Sequence, residues 1–350
     1  MAKSKSSVKS DGWALFDRVV TNAQLRTVSP WRIVAGNVVF APDYDTLRML
    51  LRVPHLLGST STSGLPALAL DVWTAYELRR AGFLPDAVWP REDVPRILPG
   101  PIAGLLENMG RADADRLREL LSSGKTFGGT VSASAKVLGK NYMKQVDVVM
   151  SDWDTGPELL ISTKRMDDSF GNNAPNRIEE SYGDAKNLRS RHPRAALGFV
   201  FSLRSNAFEQ APRVAAWILD LLAKLGREDD AYDAVALIVP MYPQPEASPG
   251  PVDIYTDLEA GLVEIELLSP PETEPLPGTG ESTDRLFRAL QASPAIELDL
   301  SRVPAELSAE RFFEHMVRHV LDNSPITRHE AARHRLQSAT DALEQGLRDR

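Results

Sequence analysis

The chain has 350 residues, 43% hydrophobic and 25% charged, enough to bury one large core or two modest ones. It contains no cysteine, which excludes disulfides and thiolate metal sites. No apolar run approaches the ~18 residues of a membrane span, and the basic, serine-rich start MAKSKSSVKS leads into no apolar segment. The expectation is a cytoplasmic protein with no membrane partner.

Residues 1–123 are expected to be mainly helical. The best stretches lie around Trp13 to Val20, Tyr44 to Leu51, Ala69 to Ala81 and Arg111 to Leu121, with Pro85, Pro90, Pro95, Pro99 and Pro101 separating the last two. In LALDVWTAYELRRAGF, Leu70, Trp73, Leu78 and Ala81 share a helical face, and Gly82 supplies the stop. From Gly128 the character changes. QVDVVMSD is a short β-branched run ended by the turn-forming DWDTG, and PELLISTKRM follows, which predicts two adjacent strands. After the loop DDSFGNNAPN, the segment RIEESYGDAKNLRSR places Ile178, Tyr182, Ala185 and Leu188 at helical spacing, with Pro175 marking the expected start.

ALGFVFSLRS and DAVALIVPMY are the next strands, and PRVAAWILDLLAKLG between them is an amphipathic helix. An acidic, Pro- and Gly-rich insert occupies about 243–283, in which AGLVEIELL is a strand candidate. AIELDLS is a further strand, Ser308 caps the helix AERFFEHMVRHVLD, and residues 326–350 form a C-terminal helix. This order of elements predicts an α/β fold: a mixed central sheet flanked by helices, with a mainly helical N-terminal domain.

The net charge of −8 counts against a nucleic-acid partner, because Lys and Arg supply most non-specific affinity for phosphate. The distribution points the other way. Between Lys125 and Arg204 twelve Lys and Arg stand against nine Asp and Glu, a net +3, so the remainder of the chain carries −11. The basic residues cluster in KVLGKNYMK (Lys136, Lys140, Lys144) and KNLRSRHPR (Lys186, Arg189, Arg191, Arg194), on either side of the chemically loaded segment.

That segment begins at Asp147, a carboxylate in the hydrophobic run VDVVM, where ionisation is costly unless a cation or hydrogen bonds compensate it. Along PELLISTK, alternation sets Leu160, Ser162 and Lys164 on one face and Ile161 and Thr163 on the other. A hairpin through DWDTG brings Asp147 and Lys164 to one sheet edge. Hydrolysis of a phosphodiester needs a cation, an acidified water and a group to orient it. Hard oxygen ligands suit Mg²⁺.

The pattern resembles the PD-(D/E)XK superfamily of restriction and repair nucleases, in which an Asp on one strand precedes a (D/E)xK tripeptide on the next. Here the tripeptide is Ser162-Thr163-Lys164, and Ser162 replaces the second acid. Some members with serine there recruit a glutamate from the following helix, which Glu179 or Glu180 supplies here. Glu180 is preferred because it shares a stripe with Asn176, Gly183 and Asn187. The run also looks like bacterial restriction-endonuclease-like proteins with an ISxK, SFG, NRxEE and GDxxNLRxRxP pattern, over about residues 125–204.

The resemblance implies a nuclease core at 124–325 that hydrolyses DNA, expected double-stranded, with Mg²⁺ or Mn²⁺ in bacterial restriction or phage defence. Asp147 with Glu179 or Glu180 would bind metal, Lys164 would orient water, and Lys140, Lys144, Arg189 and Arg191 would contact phosphates. A homodimer and further defence-system subunits are expected partners. The alternatives are a non-catalytic DNA-binding or scaffold subunit, motivated by Ser162, and a ribonuclease. Elsewhere, His315 and His319 are one helical turn apart but lack a third ligand in sequence, VLGKNYMK lacks the first glycine of a phosphate loop, and no GxSxG elbow is present.

Overall fold

The computed structural model describes residues 5–23, 28–59, 64–122, 135–168, 170–243 and 280–348. In chain order, α1 (Lys5–Asn22) leads to the hairpin β1 (Trp31–Val34) and β2 (Asn37–Phe40), then α2 (Tyr44–Leu56) and α3 (Leu65–Ala81). The short strand β3 (Val88–Trp89) precedes α4 (Gly100–Asn108) and α5 (Arg111–Ser122). A second hairpin, β4 (Ala135–Leu138) and β5 (Met143–Val146), runs into β6 (Val148–Asp152), which turns back as β7 (Gly156–Met166). Then come α6 (Phe170–Arg189), β8 (Ala196–Leu203), the single turn α7 (Ala207–Gln210), α8 (Pro212–Leu225), β9 (Ala234–Ile238) and β10 (Pro240–Met241). The last elements are α9 (Gly280–Ala292), β11 (Glu297–Leu298), α10 (Ala309–Asn323) and α11 (Glu330–Arg348).

The central sheet has five strands in the order β3-β6-β7-β8-β9. β3, β6 and β7 pair antiparallel, whereas β7, β8 and β9 run parallel. The sheet is therefore mixed, as the alternation of strands and helices predicts. Its parallel half needs crossovers, supplied by α6 between β7 and β8 and by α8 between β8 and β9. All eight residues of β8 are buried, which is why ALGFVFSL reads as a continuous apolar run rather than an alternating one.

Period-two alternation divides the core into two layers. Val148, Met150, Leu159, Ile161 and Val200 face a cluster built with α1, α2, α3 and α10, whereas Val149, Leu160, Leu197, Phe199 and Phe201 face α6 and α8. Residues expected to form a separate N-terminal domain, Leu15 to Ala81, contribute to the first of these layers, and α4 and α5 carry a small satellite cluster around Leu98, Leu106 and Leu121. α3 is enclosed along nearly its whole length. It is pinned to α2 through Glu77, whose carboxylate accepts the Asp43 N–H at 2.6 Å and pairs with Arg80 at 2.5 Å. Burial pushes Glu77 up to about 7 against the pull of Arg80.

Several sequence expectations are corrected. The hairpin β1–β2 interrupts the N-terminal helices: Ala35 and Gly36 both take positive φ, the two-residue turn that joins twisted strands. α6 starts at Phe170 rather than near Pro175, because buried Phe170 docks in the lower core and extends the helix toward β7. AIELDLS contributes only the two residues of β11, since Leu300 already begins a tight helical turn. Most of the acidic insert expected at about 243–283, with its AGLVEIELL strand, lies outside the described residues, and its last residues, from Gly280, belong to α9.

Gly82 closes α3 with φ +108°, and a Cβ there would lie 2.7 Å from the backbone of Ala332 in α11. Both the left-handed backbone and the close approach demand glycine. Gly82→Ala is expected to lower unfolding free energy by about 1–3 kcal/mol, read from the midpoint of a urea titration; an unchanged midpoint would show that α11 does not dock there.

Candidate active site

β5 and β6 are one extended stretch with a change of partner in the middle. Val146 still pairs with β4, Val148 already pairs with β7, and Asp147 stands at the break between them rather than inside a strand. β7 runs on beyond the end of β6, so its next backbone donor has no strand to bond. The Asp147 carboxylate takes that place: the Thr163 N–H donates to Oδ2 at 2.8 Å. From the side of β7 that packs against α3, the Thr163 hydroxyl donates to Asp71 Oδ1 at 2.5 Å. One threonine thus holds two carboxylates, one from α3 and one from the break.

Both acids are held up. Burial, and after it the neighbouring Asp147 charge, pushes Asp71 well above the usual carboxylate range. Asp147 keeps part of its surface open to solvent, yet its carboxylate is packed deep, and burial raises it despite the Thr163 N–H and the charges of Lys164 and Lys144. Lys164 projects from the same strand end, and its Nζ lies 3.7 Å from Glu180 Oε1 on α6. Of the two glutamates, Glu180 is the one brought to this end of the sheet; Glu179 is exposed on the neighbouring direction of the helix.

The polar stripe of α6 runs through Glu180, Asp184 and Asn187, with Asp184 where the sequence reading placed Gly183. Lys144 of β5 pairs with Asp184 and reaches Glu180 at 3.4 Å. Burial works against the Lys144 charge, but Asp184 and Glu180 hold it above its usual value. Glu180 is lowered, because Lys164 and Lys144 outweigh the effect of its partial burial. Tyr142 donates to Asp184 at 3.1 Å, and Asn187 accepts the Asn141 N–H at 2.8 Å and donates to the Tyr142 carbonyl at 3.1 Å. Gly139 permits this docking, since a Cβ there would fall 2.1 Å from the Asn187 side chain.

Three of the expected site residues have partners within the fold. Ser162 is buried beside Tyr232, whose hydroxyl donates to the Ser181 carbonyl at 3.0 Å; burial raises that phenol and the charges of Asp184, Asp147 and Glu180 raise it further. The Ser162 hydroxyl is engaged with the Tyr232 hydroxyl. Lys144 is paired with Asp184 and Glu180. Arg189 is likewise committed, to Asp233 at 2.6 Å and the Ala195 carbonyl at 3.1 Å. Lys140 and Arg191 remain exposed on the flanks.

Asp71, Asp184 and Tyr232 were not singled out in the sequence. Asp71 carries a readable signal, an acid flanked by apolar residues in LALDVW, but only the burial of every face of α3 gives it meaning. The donor set suits a hard divalent cation. Two enclosed carboxylates meet at Thr163, where the nearby lysines and hydrogen bonds offset only part of the cost of their burial, and Mg²⁺ is held by only one or two carboxylates together with waters. Among the described residues, no three carboxylates at this end converge within 4.8 Å of one another, and Glu180 is drawn to the two lysines. No family model matches the chain, and no curated protein or solved structure matches it.

An acid raised in the folded state costs stability as pH climbs from its unfolded value through its folded one. Metal-free Asp71→Asn is therefore expected to melt at a higher temperature than wild type at pH 7, with the difference closing as pH falls toward about 4. A lower melting temperature at pH 7 would make Asp71 a purely structural acid.

Proposed function

We propose that the chain is a metal-dependent nuclease of the PD-(D/E)XK type. More particularly, we read it as an endonuclease that hydrolyses DNA phosphodiester bonds in bacterial restriction or anti-phage defence. The observation that carries this reading is the pair of buried carboxylates, Asp71 and Asp147, held by Thr163 one residue before Lys164. The antiparallel order β6 then β7, with the acid before the first strand and the lysine near the end of the second, supports the resemblance.

Asp147 and Asp71 would hold Mg²⁺, with Mn²⁺ as a substitute. When bound, the cation supplies charge neutralisation at the phosphate and a more acidic water. Lys164 Nζ donates to the attacking water or to a phosphoryl oxygen as charge builds there. Glu180 fixes the direction of that ammonium and stays ionised at neutral pH, since its two lysines hold it low. Thr163 sets the positions of both acids. Lys140 and Arg191 offer exposed cations to the nucleic-acid backbone. Cutting both strands needs two such centres or two successive nicks, so a homodimer, with further defence subunits, belongs to the proposal.

A second reading, a non-catalytic DNA-binding subunit, is favoured by Ser162 and by the engagement of Lys144 and Lys164 with Glu180. Incubation with plasmid DNA and with single-stranded RNA, in Mg²⁺ or Mn²⁺, separates the readings. Metal-dependent DNA cleavage is expected, slowed about 10²–10³-fold in Lys164→Ala and in Asp71→Asn. Binding without cleavage, or undiminished rates in both variants, would sink the nuclease reading; cleavage of RNA alone would move the substrate.

A further inference from the structure

A different cluster lies behind the carboxylate site. Among the described residues, Asp233, His315 and His319 form a set of potential metal ligands whose donor atoms all lie within 4.8 Å of one another. The third ligand missing from the local sequence of α10 is supplied across the fold. His315 and His319 are one turn apart on the face of α10 that meets the parallel edge of the sheet, and Asp233 stands immediately before β9.

Asp233 is a prepared ligand. Its own N–H donates to the Leu197 carbonyl at 2.8 Å, so its backbone continues the β8–β9 ladder. Its Oδ2 is taken up by the Leu197 N–H at 2.7 Å and by Arg189 at 2.6 Å. That leaves Oδ1, which faces His319 Nδ1 at 3.7 Å. The separation is too long for a hydrogen bond. It is close to the ~3.4 Å that two ligands adopt when each lies ~2.1 Å from a tetrahedral ion.

The histidine rings sit with centroids 6.2 Å apart and tilted by 44°. His319 Nε2 is buried and finds no hydrogen-bond partner, so the ring gains nothing polar from its surroundings on that side. His315 lies at the solvent margin and lines a cleft of about 170 Å³ together with Asp233, Arg227, Glu306 and Arg311. The cleft gives an ion a route in and leaves a fourth position for water or an anion. Two imidazoles and one carboxylate select a borderline cation such as Zn²⁺ over Mg²⁺ or Ca²⁺, which prefer oxygen.

We propose that Asp233, His315 and His319 bind one zinc ion that clamps α10 to the β8–β9 edge of the sheet. Through Arg189, which shares Asp233, the same ion anchors the C-terminal end of α6, the helix that carries Glu180. The site is separate from the carboxylate pair on β7, and its existence does not depend on the nuclease reading.

The test is titration of metal-stripped full-length protein with Zn²⁺ against a chromophoric chelator, paired with thermal melts. One ion per chain is expected to bind through the histidines and to raise the melting temperature. His315→Ala, at the solvent margin, and His319→Gln are each expected to weaken binding at least about tenfold and to remove the melting shift. Asp147→Asn, which touches only the carboxylate pair, keeps both. The proposal is overturned if wild type binds no Zn²⁺ at about 100 µM, if the histidine variants bind as wild type does, or if Asp147→Asn alone abolishes binding. Circular dichroism of the two histidine variants separates a lost ligand from a lost fold.

Discussion

Thr163 is the point at which three separate parts of the chain are fixed to one another. Its backbone N–H holds Asp147 at the β5–β6 break, and its hydroxyl holds Asp71 from α3. Neither acid gains from this burial as a free carboxylate, since desolvation raises both, and each hydrogen bond offsets only part of the cost. A structure that merely needed stability would place apolar residues there. Two acids kept out of water, only partly compensated and beside a lysine, are what a cation-dependent centre requires of its resting state.

The elements around Thr163 make sense as a frame for that strain. α3 is enclosed on all sides, so Asp71 cannot turn to solvent, and Gly82 locks the far end of the helix against α11. On the other face of the sheet, Asn187 and Gly139 bind the β4–β5 hairpin to α6. Lys144 and Lys164 then divide Glu180 between them.

Much of the hairpin was legible. The alternation in PELLISTK, the DWDTG turn and the apolar VVM place β6 and β7 correctly, with Ser162 and Lys164 on one face and Thr163 on the other, because strand periodicity is a local property. Helical geometry also puts Glu180, not Glu179, on the stripe that meets Lys144 and Lys164. Asp71 was not, since it lies 92 positions from Thr163 and only the packing of α3 on the sheet brings them together. The same holds for Asp233 beside His315 and His319: a helix pattern shows the two histidines, but the third group arrives by strand topology. Basic runs in a sequence do not reveal which members are paired within the fold, as Lys144 is with Asp184 and Arg189 with Asp233.

Crystals soaked with Mn²⁺ and measured for anomalous scattering put the central claim to its most direct test. A manganese peak between Asp71 and Asp147, within coordination distance of both, is the result this structure predicts. Density elsewhere, with Thr163 still bridging two bare carboxylates at saturating metal, would contradict it and leave the buried acids without a catalytic purpose.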